Sequence, residues 1–166
     1  MKAVAVLIGI ALALALQTTL ARFIVGGTAA VDLVLVAVVI VALVTGPVTG
    51  MLSGSAAGLI QDALSSGVIG IGGLSKSIVG FLVGVIGQQF IMTAALPRLV
   101  MFVAATALNA AIFMGLYLAL GVRIFPAGWQ AVVSQALGNA VVGIVAFAII
   151  ESLPGIMERR RIRRRL

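Results

Sequence analysis

The chain has no cysteine, so neither disulfides nor thiol chemistry contribute to it. It has no histidine either, which removes the commonest metal ligand and general base. Acidic residues are nearly as scarce: Asp32, Asp62, Glu151 and Glu158 are the whole set among 166 residues. No two of these carboxylates share a helix face inside an apolar segment, so the sequence assembles no general acid/base pair and no metal site. There is no phosphate-cradling glycine motif, and there are no long alternating strands of a barrel. We therefore expect a protein that is not an enzyme, with no catalytic residues, no metal and no cofactor.

What fills the space is apolar. Hydrophobic residues make up 63% of the chain and charged residues 9%, with a mean hydropathy of +1.31. A soluble domain is nearer half apolar and about a quarter charged, so this composition belongs to an integral membrane protein. The net charge of +7 is concentrated at one end. Glu158 to Leu166 carries Arg159, Arg160, Arg161, Arg163, Arg164 and Arg165 against one glutamate, leaving only +2 for everything before it. A basic cluster directly after an apolar segment reads as a cytoplasmic anchor facing anionic lipid rather than as a nucleic-acid site.

Six apolar segments are separated by glycine, proline and charge, each near the roughly 20 residues that cross a bilayer. The first, about Ala3 to Leu20 behind Lys2, resembles a signal peptide but runs on through Gln17 and two threonines, and is read as a retained helix. The second, about Thr28 to Thr45, has Asp32 near its start, where a carboxylate suits the helix dipole. Gly46-Pro47 makes a tight turn into the third, which ends near Leu64. Ser65 to Gly73 is a glycine-rich loop, and the fourth segment covers about Leu74 to Phe90. Pro97 and Arg98 open the fifth, Gly121 to Gly128 form a loop, and the sixth runs from Trp129 to about Ile150. The expected fold is an all-α, polytopic six-helix transmembrane bundle over residues 1–155, followed by a basic cytoplasmic tail at 156–166. With six spans, the side holding both termini carries eight basic residues and the other side three, Arg22, Lys76 and Arg123, so both termini are expected in the cytoplasm.

The third segment carries the most distinctive pattern. Gly46, Gly50, Gly54 and Gly58 recur every four residues, and Asp62 falls on the next step. The fourth repeats the habit with Lys76, Gly80, Gly84 and Gln88. Small residues four apart let two helices approach closely in a membrane, where lipid is as apolar as leucine. Such a stripe packs the helix within its own bundle, docks a partner's helix, or lines a pocket. Asp62 and Lys76 face each other across the glycine loop, each the wrong sign for its own helix end. They either form an ion pair, reach separately into headgroups and water, or contribute to a pocket. Asn109, Gln135 and Asn139 in the last two helices need hydrogen-bond partners at that depth, as interhelical glue or as pocket lining.

The order of features resembles the rod-shape-determining protein MreD family of bacterial cell-elongation machinery. The residues that carry the resemblance are Leu16-Gln17, Asp32-Leu33, the stripe running into Gly58-Leu59-Ile60-Gln61-Asp62, Val68-Ile69-Gly70, and the six-span plan with a basic C-terminus. The resemblance implies a non-catalytic scaffold or regulatory subunit of the bacterial inner membrane. It would bind the bitopic protein MreC through transmembrane helix contacts and support the glycosyltransferase and transpeptidase that build lateral-wall peptidoglycan. The family is also similar in fold to the substrate-binding subunits of energy-coupling-factor vitamin transporters. That similarity implies the alternative function, binding of a vitamin-like small molecule.

Overall fold

A computed structural model describes residues 2–20, 31–65, 68–90, 94–121 and 129–152. These residues form six helices and no strand: α1 (Lys2–Leu20), α2 (Leu33–Thr45), α3 (Pro47–Leu64), α4 (Ile71–Gln89), α5 (Ala95–Ala119) and α6 (Trp129–Ser152). The basic tail, with all six of its arginines, lies outside the described residues, as does most of the loop at 121–128.

The short helix is the central one. α2 is 13 residues of valine, leucine, isoleucine and alanine closed by one threonine, and eight of them are buried. It packs against every other helix. An all-round apolar helix seeks cover on every side, and here the other five supply it for these eight residues. It starts five residues later than expected. Asp32 is its N-cap, in extended conformation, with Oδ1 accepting from the Leu35 N–H at 3.0 Å. A carboxylate there satisfies one of the orphan donors of the first turn. At about 1.5 Å per residue α2 is only some 20 Å long. By length and composition, α4, α5 and α6 suffice to cross a membrane, while α1 and α2 contribute the shorter apolar stretches Val4–Thr19 and Leu33–Thr45.

Gly46 lets the chain reverse from α2 into α3. Its φ of 101° is open to glycine at little cost, and its N–H still bonds the Ala42 carbonyl at 2.9 Å. Pro47 then occupies the first turn of α3, where its missing N–H has no helical partner to lose.

α3 and α4 form the tightest pair in the molecule. They run antiparallel, and each step of four along α3 is matched by a step of four back along α4. A methyl group at Gly50 would strike the Gly80 carbonyl, one at Gly54 the Lys76 carbonyl, and one at Gly58 the Gly72 carbonyl, 2.6 Å away. From the other side, a methyl at Gly84 would strike Pro47. The two stripes face each other, backbone on backbone. This approach also corrects the loop boundary, because α4 begins at Ile71 and places Gly72 and Gly73 in its first turn against α3.

α5 and α6 pack on each other and close over α2 with a cluster built on Phe102, Met101, Ala105, Ala140 and Phe147. Gly143 makes room for the Phe102 ring. The outer surface is apolar, with Leu52, Leu59 and Ile60 on α3, Phe81 and Leu82 on α4, and Leu137 and Val141 on α6 all exposed.

Candidate functional site

Buried polar side chains gather where α1 and α3 end and α2 and α4 begin. The centre is an ion pair between Asp32 and Lys76, with Nζ 3.0 Å from Oδ2 and side chains only 10% and 5% exposed. Position along α4 explains why Lys76 is available. Its carbonyl lies over Gly54, so its side chain is level with the interior of the bundle rather than with the end of α3. Gln61 of α3 adds a long contact of 3.5 Å from Nε2 to the Asp32 Oδ1, and its own Oε1 is buried without a protein partner among the described residues.

An ion pair of Asp62 with Lys76, one of the three readings the sequence leaves open, is therefore not formed. Asp62 lies one turn beyond Gly58, and Gly58 abuts Gly72, so Asp62 overhangs the start of α4. Its Oδ2 accepts from the backbone N–H groups of Gly70, Gly72 and Gly73 at 2.9, 2.9 and 3.2 Å. A carboxylate from one helix caps the next, which suits the positive end of the α4 dipole. Gly70, with φ of 105°, lets the chain turn into this cap. The charge unfavourable at the end of α3 is thus favourable at the head of α4.

Two amides grip the segment that leads into α2. Gln17, near the end of α1, donates to the Val31 carbonyl at 3.2 Å and accepts from the Leu33 N–H at 2.8 Å. Asn139 of α6 accepts from the Asp32 N–H between them at 2.8 Å and donates to the Thr106 hydroxyl of α5 at 3.0 Å. Asn109 of α5 accepts from Ser75 of α4 at 2.7 Å. Both asparagines join helices, as interhelical glue does. Gln135 sits one turn before Asn139 on α6 and is partly buried.

The six stripe glycines Gly46, Gly50, Gly54, Gly58, Gly80 and Gly84 all lie where α3 meets α4 and the end of α2. Their close-packing surface is occupied within the chain.

Three arrangements escape a reading of the sequence. One is the partnership of Asp32 with Lys76. Another is the grip of Gln17, whose residue type and place near the end of the first segment, like its part in the family resemblance, name no partner. The third lies at the opposite end, where Arg98 at the head of α5 makes a two-point pair with Glu151 at the foot of α6, at 3.0 and 2.6 Å. The Arg98 guanidinium also lies 4.2 Å from the centre of the Phe147 ring. The signal was present: an arginine opens one helix and a glutamate closes its antiparallel neighbour.

A model of the rod shape-determining protein MreD family matches residues 1–154. No curated protein and no solved structure matches the chain. The match spans all six helices together with their polar knot, and the chain belongs to the MreD family of rod shape-determining membrane proteins.

Proposed function

We propose that the chain is a non-catalytic scaffold of the bacterial cell-elongation complex, a multi-pass protein of the cytoplasmic membrane with six spans and both termini in the cytoplasm. It binds the transmembrane helix of an MreC-like bitopic protein. Through that complex it supports the glycosyltransferase and transpeptidase that extend the lateral wall, while the arginine tail holds anionic lipid.

One observation carries this reading beyond family membership. A small-molecule site presents convergent polar groups to a ligand between apolar walls. Here Asp32 is engaged by Lys76, Asp62 by the head of α4, and Asn139 by the Asp32 backbone and Thr106. These groups tie helices to one another, as a framework requires. Since the glycine stripes are occupied between α3 and α4, the partner's helix is expected on another face.

The test is depletion of the protein in a rod-shaped host, scored for cell rounding and for co-purification of the MreC-like partner. Rounded cells and loss of the complex are the expected result. Retained cell shape, with a vitamin-like molecule bound near stoichiometrically to the purified protein, would replace the scaffold by a transport subunit.

A further inference from the structure

α1 is attached to the bundle differently from the other helices. α2 uses Val34 and Val38 in the small apolar cluster with Ile10, Leu14 and Ala57, and uses Leu35, Val36, Val39, Ile40 and Ala42 in the large cluster with α4, α5 and α6. Of the apolar residues outside both clusters, Val41 is buried, while Leu33, Ala37 and Val44 fall, at 3.6 residues per turn, on one strip between those two sides. Leu33 and Ala37 are only partly buried, and Val44 is 59% exposed. The strip is open because no Cα of α1 comes within 8 Å of α6. A seam runs between them along α2.

What holds α1 in place is limited. Among the described residues it packs on α2 and α3 alone. Between helices in lipid there is no hydrophobic driving force, so attachment depends on close packing and hydrogen bonds. α3 and α4 meet backbone on backbone through glycine, whereas α1 rests on its neighbours through the side chains of Ile10 and Leu14, with its own Gly9 on the exposed face. Among the described residues, the hydrogen bonds that α1 makes to α2 and the segment before it are those of Gln17, to the Val31 carbonyl and the Leu33 N–H. Asn139 holds the intervening Asp32 N–H from the α6 side. One three-residue segment thus straps α1 to α6 at a single end of the seam.

We propose that α1 is a gate helix and that Gln17 is its latch. Releasing the two Gln17 bonds frees α1 to swing from α2 and widen the seam, while α2 to α6 keep their arrangement. The latch is a property of this chain and stands or falls separately from the identity of any partner.

Pulsed electron paramagnetic resonance in lipid nanodiscs tests it, since the chain has no native cysteine to interfere with spin labelling. One label pair spans the seam, at Leu7 on α1 and Val145 on α6, both exposed. A reference pair at Phe81 on α4 and Val145 reports the rest of the bundle. Gln17→Ala should add a longer-distance component to the seam pair and leave the reference pair unchanged. Leu33→Pro attacks the same latch from the backbone. Leu33 is the first residue of α2, where proline is well tolerated, and the change deletes only the N–H that Gln17 accepts. It should give the same longer component at a smaller fraction. An unchanged seam distance in both variants overturns the latch. Equal broadening of both pairs overturns the gate, because Gln17 would then hold the whole bundle.

Discussion

Lys76 reaches across the bundle to Asp32, 44 positions away in the chain, with Nζ 3.0 Å from Oδ2, and leaves the nearer Asp62 to a different task. Removing one partner of a buried ion pair strands the other charge, at a cost of about 3 to 5 kcal/mol, whereas removing both is much milder. Asp32→Asn and Lys76→Met should therefore each lower thermal stability in detergent more than the double change does. Asparagine also caps helices well, so the loss in Asp32→Asn reports the ion pair and not the cap. Strictly additive melting shifts would show that the two charges are independent.

Asp62 should behave as a cap. Asp62→Leu removes the acceptor for three backbone N–H groups at the head of α4 and should cost about 1 to 2 kcal/mol, with Asp62→Asn milder because one oxygen remains. Its effect should add to that of Lys76→Met, since the two residues share no partner. Strong coupling between them in a double-mutant cycle would restore the direct ion pair.

The glycine stripe predicts a sharp contrast on α3. In Gly54→Ala even one methyl meets the Lys76 carbonyl, and backbone cannot move aside without separating α3 from α4. The expected loss is about 1 to 3 kcal/mol of stability, as for overpacking elsewhere. Ala56→Leu, two residues on but exposed, should be close to neutral. Folded yield and melting temperature in detergent decide it, and equal effects at both positions would mean that the stripe is not the contact.

These cases show where the sequence is readable. A four-residue glycine step on two successive helices announces a close antiparallel pair, and the Gly46-Pro47 turn announces how α2 hands over to α3. The helix dipole acts locally and makes Asp32 legible as a residue of the first turn, though the apolar segment starts at about Thr28 and α2 in fact begins just after Asp32. The choice of partner for Lys76 is not local. Periodicity tells which face of α4 it occupies, but which third helix covers that face depends on how α2 threads the bundle. The fate of Asp62 was closer to hand: with Gly58 set against Gly72, one further turn of α3 has to overshoot the start of α4. Gln17 belongs to the residues that carry the family resemblance, but its partners are not legible, since a lone amide near a helix end reads equally well as a residue in headgroups.

Arg98 and Glu151 clamp the other end. Arg98→Lys keeps the charge but loses the two-point geometry and the stacking on Phe147, so about 1 to 2 kcal/mol of stability should go with it. Glu151 is 27% exposed at its side chain, which places the pair well short of a fully buried one. Melting curves of Arg98→Lys and Glu151→Gln, alone and combined, should reveal positive coupling. Indifference to Arg98→Lys would reduce the pair to an ordinary surface contact.

The remaining prediction concerns how the bundle lies in the membrane. Eight of the eleven basic residues fall on the side that holds both termini if there are six spans, and an excess of that size orients membrane proteins with the basic side in the cytoplasm. α2, at 13 residues, is too short to cross alone as a helix, but it packs against all five other helices and is open only along the strip of Leu33, Ala37 and Val44. The extended residues before it are satisfied by Gln17 and Asn139, which removes the usual objection to irregular backbone at membrane depth. Single cysteines at Ile69, exposed before α4, and at Ser152, exposed at the end of α6, can be treated in intact cells with a thiol reagent that does not cross the membrane. Ile69→Cys should be labelled and Ser152→Cys should be protected until the cells are opened. The reverse pattern would invert the topology, and labelling of both in intact cells would require an even number of spans between them in place of the three that α4, α5 and α6 supply.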